Sequence, residues 1–122
     1  MTQQPPAILC IDDEANILVL RFAMLAGAGY GVHVAKNGER GLEIFRNEPV
    51  DLVVLDYKMP GMLGDEVARE MRSVRPEVPL LLVTAFHDLP TACTSVFDGV
   101  TLKGDSPDIL LASIDNLLSR RR

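Results

Sequence analysis

The sequence predicts an α/β fold, in which helices cover both faces of a parallel β-sheet. Three continuous apolar runs predict strands that are buried on both faces, at residues 7–11, 52–55 and 80–83. Helical patterns and turn residues separate these runs, so that a strand and a helix alternate five times along the chain. Such alternation is typical of right-handed crossovers between parallel strands.

The remaining elements follow from periodicity, caps and turn residues. In chain order they are a helix at 14–26, a strand at 32–35, a helix at about 39–47, a helix at about 64–74, a helix at 90–97, a strand at 100–102 and a helix from 107 to about 119. The first helix is strongly apolar, with Asn16 and Arg21 among its polar exceptions. Asn37-Gly38 turns the chain into the second helix, and Pro49 ends that helix.

The second half of the chain contains the weakest of these elements. Val67, Ala68 and Met71 give the 64–74 helix one apolar side, which predicts its packing on the sheet. The 90–97 helix is rich in Thr and Ser, which are poor helix formers, so we expect it to be short or frayed. Ser106-Pro107 is an N-cap followed by proline at the first helical position, so the last helix has a clear start.

Composition limits the classes of protein to consider. The chain has 122 residues, is 48% hydrophobic and carries a formal net charge of −5. We expect a single domain over residues 1–122, with a flexible N-terminus at 1–6. The negative charge argues against direct contact with nucleic acid. The sequence contains neither an apolar run long enough to span a bilayer nor a signal-peptide pattern, so we expect a cytoplasmic protein with no membrane partner.

Polar side chains stand where the apolar runs stop. Asp12 and Asp13 end the first strand, Asp56 ends the third, Thr84 ends the fourth and Lys103 follows the fifth. The carboxyl ends of parallel strands share one edge of the sheet, and ligands of open α/β sheets bind at that edge. An isolated acid in this place could simply cap a loop, but the joint occurrence of five such residues favours a functional site.

The composition of this edge indicates its chemistry. Three carboxylates that lie close together repel one another unless a cation offsets them, and one lysine neutralises only part of their charge. A divalent ion with oxygen ligands resolves the repulsion, and the lack of His and Cys argues against zinc. A carboxylate nucleophile, Mg²⁺, a fixed cation and a hydroxyl donor together suit phosphoryl transfer.

These residues resemble the receiver domain of two-component response regulators, over essentially the whole chain. The matching segments are Ile-Leu-Cys-Ile-Asp-Asp-Glu at 8–14, the run from Asp to Met-Pro-Gly at 51–61, the run at 80–85, and Lys103. The resemblance implies a flavodoxin-like (βα)5 three-layer sandwich, which is doubly wound around a parallel sheet with strand order 2-1-3-4-5.

The resemblance also implies roles for the acidic residues. Asp56 matches the phosphoacceptor, which forms an aspartyl phosphate by attack on a phosphohistidine of a histidine kinase or a phosphotransfer protein. Asp13 and Asp56 match direct Mg²⁺ ligands, and Asp12 matches a ligand that acts through water. The backbone carbonyl of Lys58 is expected to complete the protein's share of the coordination.

The remaining matched residues are expected to sense the phosphoryl group. Thr84 would donate its hydroxyl to that group, and Lys103 would pair with another of its oxygens. The resulting change in conformation would signal to a downstream protein or to an output domain. Such a protein is a switch rather than an enzyme, because it assists only its own phosphorylation and dephosphorylation.

The sequence departs from the family around the matching lysine. Gly104 replaces the usual proline, so we expect glycine's conformational freedom to make the bend there. Val100 stands where an aromatic switch residue is usual, and the segment between Thr84 and Lys103 is shorter than usual by about one helical turn. These departures leave an alternative open, namely a degenerate receiver that acts as a phosphorylation-independent interaction module.

Enzymes of the same topology form a third class. A flavodoxin would need a phosphate loop after the first strand, but Asp12-Asp13-Glu14 would repel a phosphate there. An aspartate-dependent phosphatase would have a second acid two residues after its nucleophile, and Lys58 occupies that position. The sequence therefore favours a binding switch over either enzyme.

Overall fold

The structure, a computed structural model, describes residues 4–120, and in that range strands and helices alternate. The elements are β1 Ala7–Ile11, α1 Ala15–Gly27, β2 Gly31–Ala35, α2 Gly38–Asn47, β3 Leu52–Asp56, α3 Gly64–Val74, β4 Leu80–Thr84, α4 Thr91–Thr94, β5 Gly99–Leu102 and α5 Pro107–Arg120. The strands form one sheet in the order β2-β1-β3-β4-β5, and every neighbouring pair is parallel. The predicted fold class and strand order are therefore confirmed. Residues 1–3 of the N-terminus that we expected to be flexible lie outside the described range.

The core forms two layers, one on each face of the sheet. Leu9, Val53 and Leu80 belong to the layer beneath α2 and α3. Their neighbours along the strands belong to the layer beneath α1 and α5, as Val54 and Leu81 show. Successive side chains of a strand point to opposite faces, so a strand-end residue meets the helices of the layer that its position selects.

The apolar runs gave accurate boundaries, and the fourth helix is short, as its poor helix formers predicted, although its bounds are narrower than the predicted range. Helix α4 was expected over 90–97 but spans only Thr91–Thr94, and Pro90 precedes it rather than opening it. Two arginines of α3 donate hydrogen bonds to carbonyls in and after α4. Arg69 Nη2 donates to the Ala92 carbonyl at 3.0 Å, and Arg72 Nη2 donates to the Val96 carbonyl at 2.9 Å. These carbonyls have hydrogen-bond donors from α3, so they do not need the amide donors that a longer α4 would supply.

The expectation about Gly104 was wrong. Positive φ values occur, within residues 4–120, at Gly29 and Gly61 and not at Gly104. The side chain of Asp105 holds the turn instead, because the Leu102 amide donates to Asp105 Oδ2 at 3.0 Å and the Asp105 amide donates to the Leu102 carbonyl at 3.0 Å. An Asp at this point fixes the bend by hydrogen bonding, and it needs no special backbone conformation.

None of the helices in the described part of the chain has both the length and the apolar character that crossing a membrane requires.

Candidate functional site

Three aspartates meet at the carboxyl edge of the sheet, and we call Asp12, Asp13 and Asp56 the acidic cluster. One carboxylate oxygen from each lies within 4.8 Å of the others. Asp12 and Asp56 are buried, whereas Asp13 is exposed. The sequence predicted this meeting because β1 and β3 are adjacent in the sheet, with Ile11 paired to Leu55.

Backbone amides fix the two buried carboxylates. Asp12 Oδ1 accepts a hydrogen bond from the Glu14 amide at 2.9 Å, and Asp56 Oδ1 accepts one from the Tyr57 amide at 2.8 Å. The backbone of Asp12 is fixed as well, since its amide donates to the Ala35 carbonyl of β2 at 3.1 Å. In each case the second carboxylate oxygen, Oδ2, is left for cations.

Lys103 is the cation that bridges the two carboxylates. Its Nζ lies 3.2 Å from Asp56 Oδ2 and 3.3 Å from Asp12 Oδ2, with Glu14 Oε1 at 3.7 Å. Burial alone lowers the pKa of Lys103, but the hydrogen bond to Asp56 and the charges of Asp56 and Asp12 together raise it above its ordinary value. The lysine is therefore charged at neutral pH.

Asp56 experiences opposing influences on its charge. Burial, followed by the negative charge of Asp12, raises the pKa of Asp56 above its ordinary value, while Lys103 and the Tyr57 amide act in the opposite direction. The net shift is upward, so folding places this carboxylate where its charge is less favourable than in water. Any further cation that enters the site would stabilise the charged form of this carboxylate.

Thr84 lies at the same edge of the sheet, but its hydroxyl makes no hydrogen bond to the acidic cluster among the described residues. It is buried at the end of β4, and its Oγ1 accepts a hydrogen bond from the Phe86 amide at 3.1 Å. Thr84 follows Val83, which faces α1 and α5, so Thr84 faces the opposite layer from Asp56. Within residues 4–120 no hydrogen bond joins its hydroxyl to Asp56.

A cleft opens above the acidic cluster. Asp13, Asp56, Lys58, Phe86 and Lys103 are among the residues that line it. Lys58 therefore stands beside the site, while the coordination by its carbonyl stays a prediction. Phe86, which lines the cleft, packs edge-on against Tyr57, with 6.5 Å between the ring centroids.

Gly64, which sequence reasoning did not single out, allows α3 to begin directly against the end of β3. Its amide donates to the Tyr57 carbonyl at 2.6 Å. A Cβ at this position would lie 2.8 Å from the Tyr57 Cα and closer still to the Asp56 carbonyl oxygen. Only glycine therefore permits this approach, and it helps to hold the backbone of Asp56 in place.

Arg21 is a second residue of the site whose role sequence reasoning missed. It is buried on α1, and its Nη1 lies 3.4 Å from Asp12 Oδ2. The signal in the sequence was its spacing, because Arg21 follows Leu18 by three residues and precedes Leu25 by four, which places it on the inner side of the helix. An arginine in such a stripe is expected to have a buried acidic partner.

The acidic cluster suits Mg²⁺. Its three donors are carboxylates, and hard oxygen ligands are the ones that Mg²⁺ prefers, usually one or two carboxylates together with water. Asp13 is exposed, so the cluster is open to solvent on one side. The neighbouring cations neutralise it only in part, which leaves a net negative charge for a divalent ion to meet.

The chain matches a family model described as "Response regulator receiver domain" over residues 8–102. The transcriptional regulatory protein GlrR of Escherichia coli (strain K12) is 32% identical over 98% of this chain and 28% of its own length. The chain spans between 25% and 50% of the length of these curated relatives, which are therefore longer proteins.

Solved structures agree with this match. A CheY-like receiver domain protein from Methanospirillum hungatei JF-1 superposes with a TM-score of 0.92 at 28% identity, covering 96% of both chains. The response regulator TrrA of Thermotoga maritima, crystallised with Mg(2+)-BeF, gives a TM-score of 0.85 at 35% identity, covering 92% of this chain and 98% of its own. TrrA in complex with the histidine kinase ThkA gives 0.86 at 35% identity, covering 93% and 98%. The chain belongs to the response regulator receiver domain family.

Proposed function

We propose that the protein accepts a phosphoryl group on Asp56 from the phosphohistidine of a histidine kinase or a phosphotransfer protein. The observation that carries this proposal is the position of Asp56, whose buried carboxylate lies beside two other aspartates and 3.2 Å from the Lys103 ammonium. In the reaction a carboxylate oxygen of Asp56 bonds to phosphorus, the P–N bond breaks, and the histidine leaves with the electron pair.

The geometry of Asp56 supports this role. The Tyr57 amide holds one carboxylate oxygen and Lys103 holds the other, so the carboxylate is oriented before a donor arrives. Asp12, Asp13, Asp56 and the carbonyl of Lys58 would hold Mg²⁺, which would offset the negative charge of the transferring phosphoryl oxygens. Lys103 already stands beside Asp56 and would pair with one of those oxygens.

Thr84 supplies the proposed conformational response. Its Oγ1 accepts a hydrogen bond from the Phe86 amide, so its hydroxyl hydrogen is free to be donated to a phosphoryl oxygen. Because Thr84 faces the opposite layer from Asp56, this donation requires the end of β4 and the following loop to move. The movement would present a changed surface to a downstream protein or to an output domain of a longer chain.

The relatives guide the choice of partners. TrrA was crystallised with a histidine kinase, and GlrR is named as a transcriptional regulatory protein. For this chain we propose a histidine kinase or phosphotransfer protein as the donor, and we propose no direct contact with nucleic acid or membrane. A cytoplasmic location stays a prediction. The only chemistry proposed for the protein itself is assistance to the phosphorylation and dephosphorylation of Asp56.

Intact-mass spectrometry tests the proposal directly. The wild-type protein, incubated with Mg²⁺ and acetyl phosphate, should gain one phosphoryl group, and EDTA should prevent the gain. Asp56→Asn should gain none, while Asp88→Asn, the same change at an exposed acid beyond β4, should behave as wild type. Equal modification of Asp56→Asn would contradict the assignment, and so would an unmodified wild type.

The degenerate receiver is the second candidate, and the valine at position 100 favours it because it cannot act as an aromatic switch. That side chain is 48% exposed on β5, at the position where the family has its aromatic switch. Amide NMR spectra with Mg²⁺ and beryllofluoride separate the two candidates. Shifts that reach Lys103 and α5 support the switch, whereas shifts confined to the acidic cluster support a phosphorylation-independent interaction module.

A further inference from the structure

Arg21 is a charged residue in a stripe of α1 that otherwise packs into the core. The buried residues of this helix are Leu18, Arg21 and Leu25, which recur at helical spacing and face the sheet. The Arg21 side chain is only 9% exposed. An apolar side chain here would complete the stripe without any cost of removing a charge from water, so the arginine calls for an explanation beyond packing.

The contact of Arg21 leads directly to the acidic cluster. Its Nη1 lies 3.4 Å from Asp12 Oδ2, and Lys103 Nζ lies 3.3 Å from the same oxygen. Among the described residues, Asp12 is the only partner of the Arg21 guanidinium in a hydrogen bond or an ion pair. One buried carboxylate oxygen therefore receives two cations, while Asp56 receives one.

We propose that Arg21 is a positioning residue, which acts as a permanent counter-charge for Asp12, weakens Mg²⁺ binding to the acidic cluster, and leaves Lys103 free to turn towards Asp56. The inference rests on the proposed Mg²⁺ site and concerns how this chain tunes it. Arg21 would touch neither the phosphoryl group nor the reacting atoms, and it would act through Asp12.

The charges explain the effect on the metal. Two cations against the three carboxylates of the acidic cluster leave one net negative charge, whereas Lys103 alone would leave two. A divalent ion is attracted less strongly by the smaller charge, and burial reduces the screening by water. An arginine does not lose its proton in proteins, so its contribution persists at any working pH.

The two cations differ in freedom. The Arg21 side chain is only 9% exposed and is paired with Asp12, whereas the Lys103 side chain is 20% exposed and lines the cleft above Asp56. When Asp56 becomes more negative, Lys103 is the cation that can follow the charge. Asp12 would then keep Arg21 as its partner and would not be left as an unpaired buried charge, which would be costly.

Magnesium titration followed by amide NMR tests the inference without any phosphoryl transfer. The wild-type protein is compared with Arg21→Met, which removes the charge and keeps an unbranched apolar chain. Arg21→Met should bind Mg²⁺ at least about fivefold more tightly, as expected when one nearby positive charge is lost. Arg21→Lys should stay close to wild type, and so should Arg40→Met, which removes an exposed arginine of α2.

Thermal unfolding gives a readout that a purely structural role would not produce. The gain in Tm between EDTA and saturating Mg²⁺ should be larger for Arg21→Met than for wild type, since Mg²⁺ takes over the missing neutralisation. A structural arginine would lower Tm equally under both conditions. If Arg21→Met does not fold, Arg21→Gln, which is neutral but can still donate to Asp12, is held to the same criteria.

The outcomes separate this inference from the proposed function. Unchanged or weaker Mg²⁺ affinity in the neutral variant, with normal shifts at Asp13, Asp56 and Lys58, overturns the inference and leaves the proposed site standing. Spectra of both proteins that do not respond to Mg²⁺ overturn both. Tighter binding together with the larger gain in Tm supports the role of Arg21.

Discussion

Two regions of the same sheet edge are held very differently, one at the central strands β1 and β3 and the other at the outer strand β5. Where β1 and β3 end, every strand residue from Ile8 onward is buried, and backbone amides fix both buried carboxylates. Where β5 ends, in what we call the α4–β5 segment (residues 91–102), α4 has only four residues and none of them is buried. Beside the pairing of β5 with β4, Arg72 of α3 holds this segment through the Val96 carbonyl and the Asp98 carboxylate.

This difference matches what each region has to do. Phosphoryl transfer benefits from groups that are already in place, because the activation free energy then includes no cost of rearranging them. A conformational response needs a region of low local stability that a small change at the site can shift. The proposed function would therefore combine a firmly held chemical region with a less firmly held reporting region on one edge.

The largest effect is expected where the rigid region has no space. Gly64→Ala would force a Cβ against the backbone of Asp56 and Tyr57, where no flexible side chain can move away. We expect a loss of about 3 kcal/mol in the free energy of unfolding, which is typical of severe overpacking. Denaturant unfolding measures this loss. A cost close to zero would show that the end of β3 is not held as rigidly as the comparison requires.

A smaller and more local effect is expected in the reporting region. Arg72→Met removes donors from the Val96 and Val78 carbonyls and from Asp98, so we expect a loss of about 2 kcal/mol. Hydrogen exchange should rise in the α4–β5 segment and stay unchanged in β1 and β3. Arg46→Met, at the exposed end of α2, is the control. Uniform loss of protection across the sheet would mean that the two regions unfold together.

The charge on Asp56 gives a pH-dependent effect of a few degrees in Tm. Its pKa is raised in the folded state above the ordinary value of 3.8, so the folded protein binds the proton more tightly than the unfolded chain does. This stabilising contribution is complete below the unfolded pKa and is lost as the pH rises through the folded pKa. In EDTA, Asp56→Asn should therefore gain in Tm over wild type as the pH rises from about 4 to about 7. A difference that does not vary with pH would contradict the argument.

The smallest effect is expected at Gly104. A Cβ there would meet nothing within 4 Å, and its φ is not positive. Gly104→Ala should stabilise the protein slightly, by up to about 0.5 kcal/mol, because alanine restricts the unfolded chain more than glycine does. Denaturant unfolding of Gly104→Ala is compared with that of Gly64→Ala, because the same substitution is then made in each of the two regions. A large loss at Gly104 would remove the contrast between the two sides.

The parts of the fold that were predicted from sequence rest on local patterns. β1, β3 and β4 were located by continuous apolar runs, and a parallel sheet then brought Asp12, Asp13, Asp56 and Lys103 to one edge. A short, continuous apolar run is typical of a strand that is buried on both faces of a sheet. The match to a receiver domain added the strand order, which the alternation of strands and helices does not determine.

The features that escaped prediction depend on specific side-chain contacts. The shortness of α4 was predicted from its residue types, but the α3 arginines that bind carbonyls of its region were not, and the burial of Arg21 depends on an aspartate nine residues away. The turn after Lys103 is held by a side chain, that of Asp105, where the sequence suggested glycine. The folded geometry selects these partners, and residue-type patterns do not specify them even when the partners are near in sequence, as Leu102 and Asp105 are.

The two cysteines differ enough to give this protein a ready-made site for a probe. Cys10 is fully buried in β1, and burial raises the pKa of its thiol to about 12. Cys93 lies in α4 and is partly exposed, with its Sγ 3.3 Å from the Tyr57 hydroxyl. A maleimide should therefore react at Cys93 alone. A fluorine or spin label could thus report on the α4–β5 segment in the otherwise native sequence, without cysteine engineering.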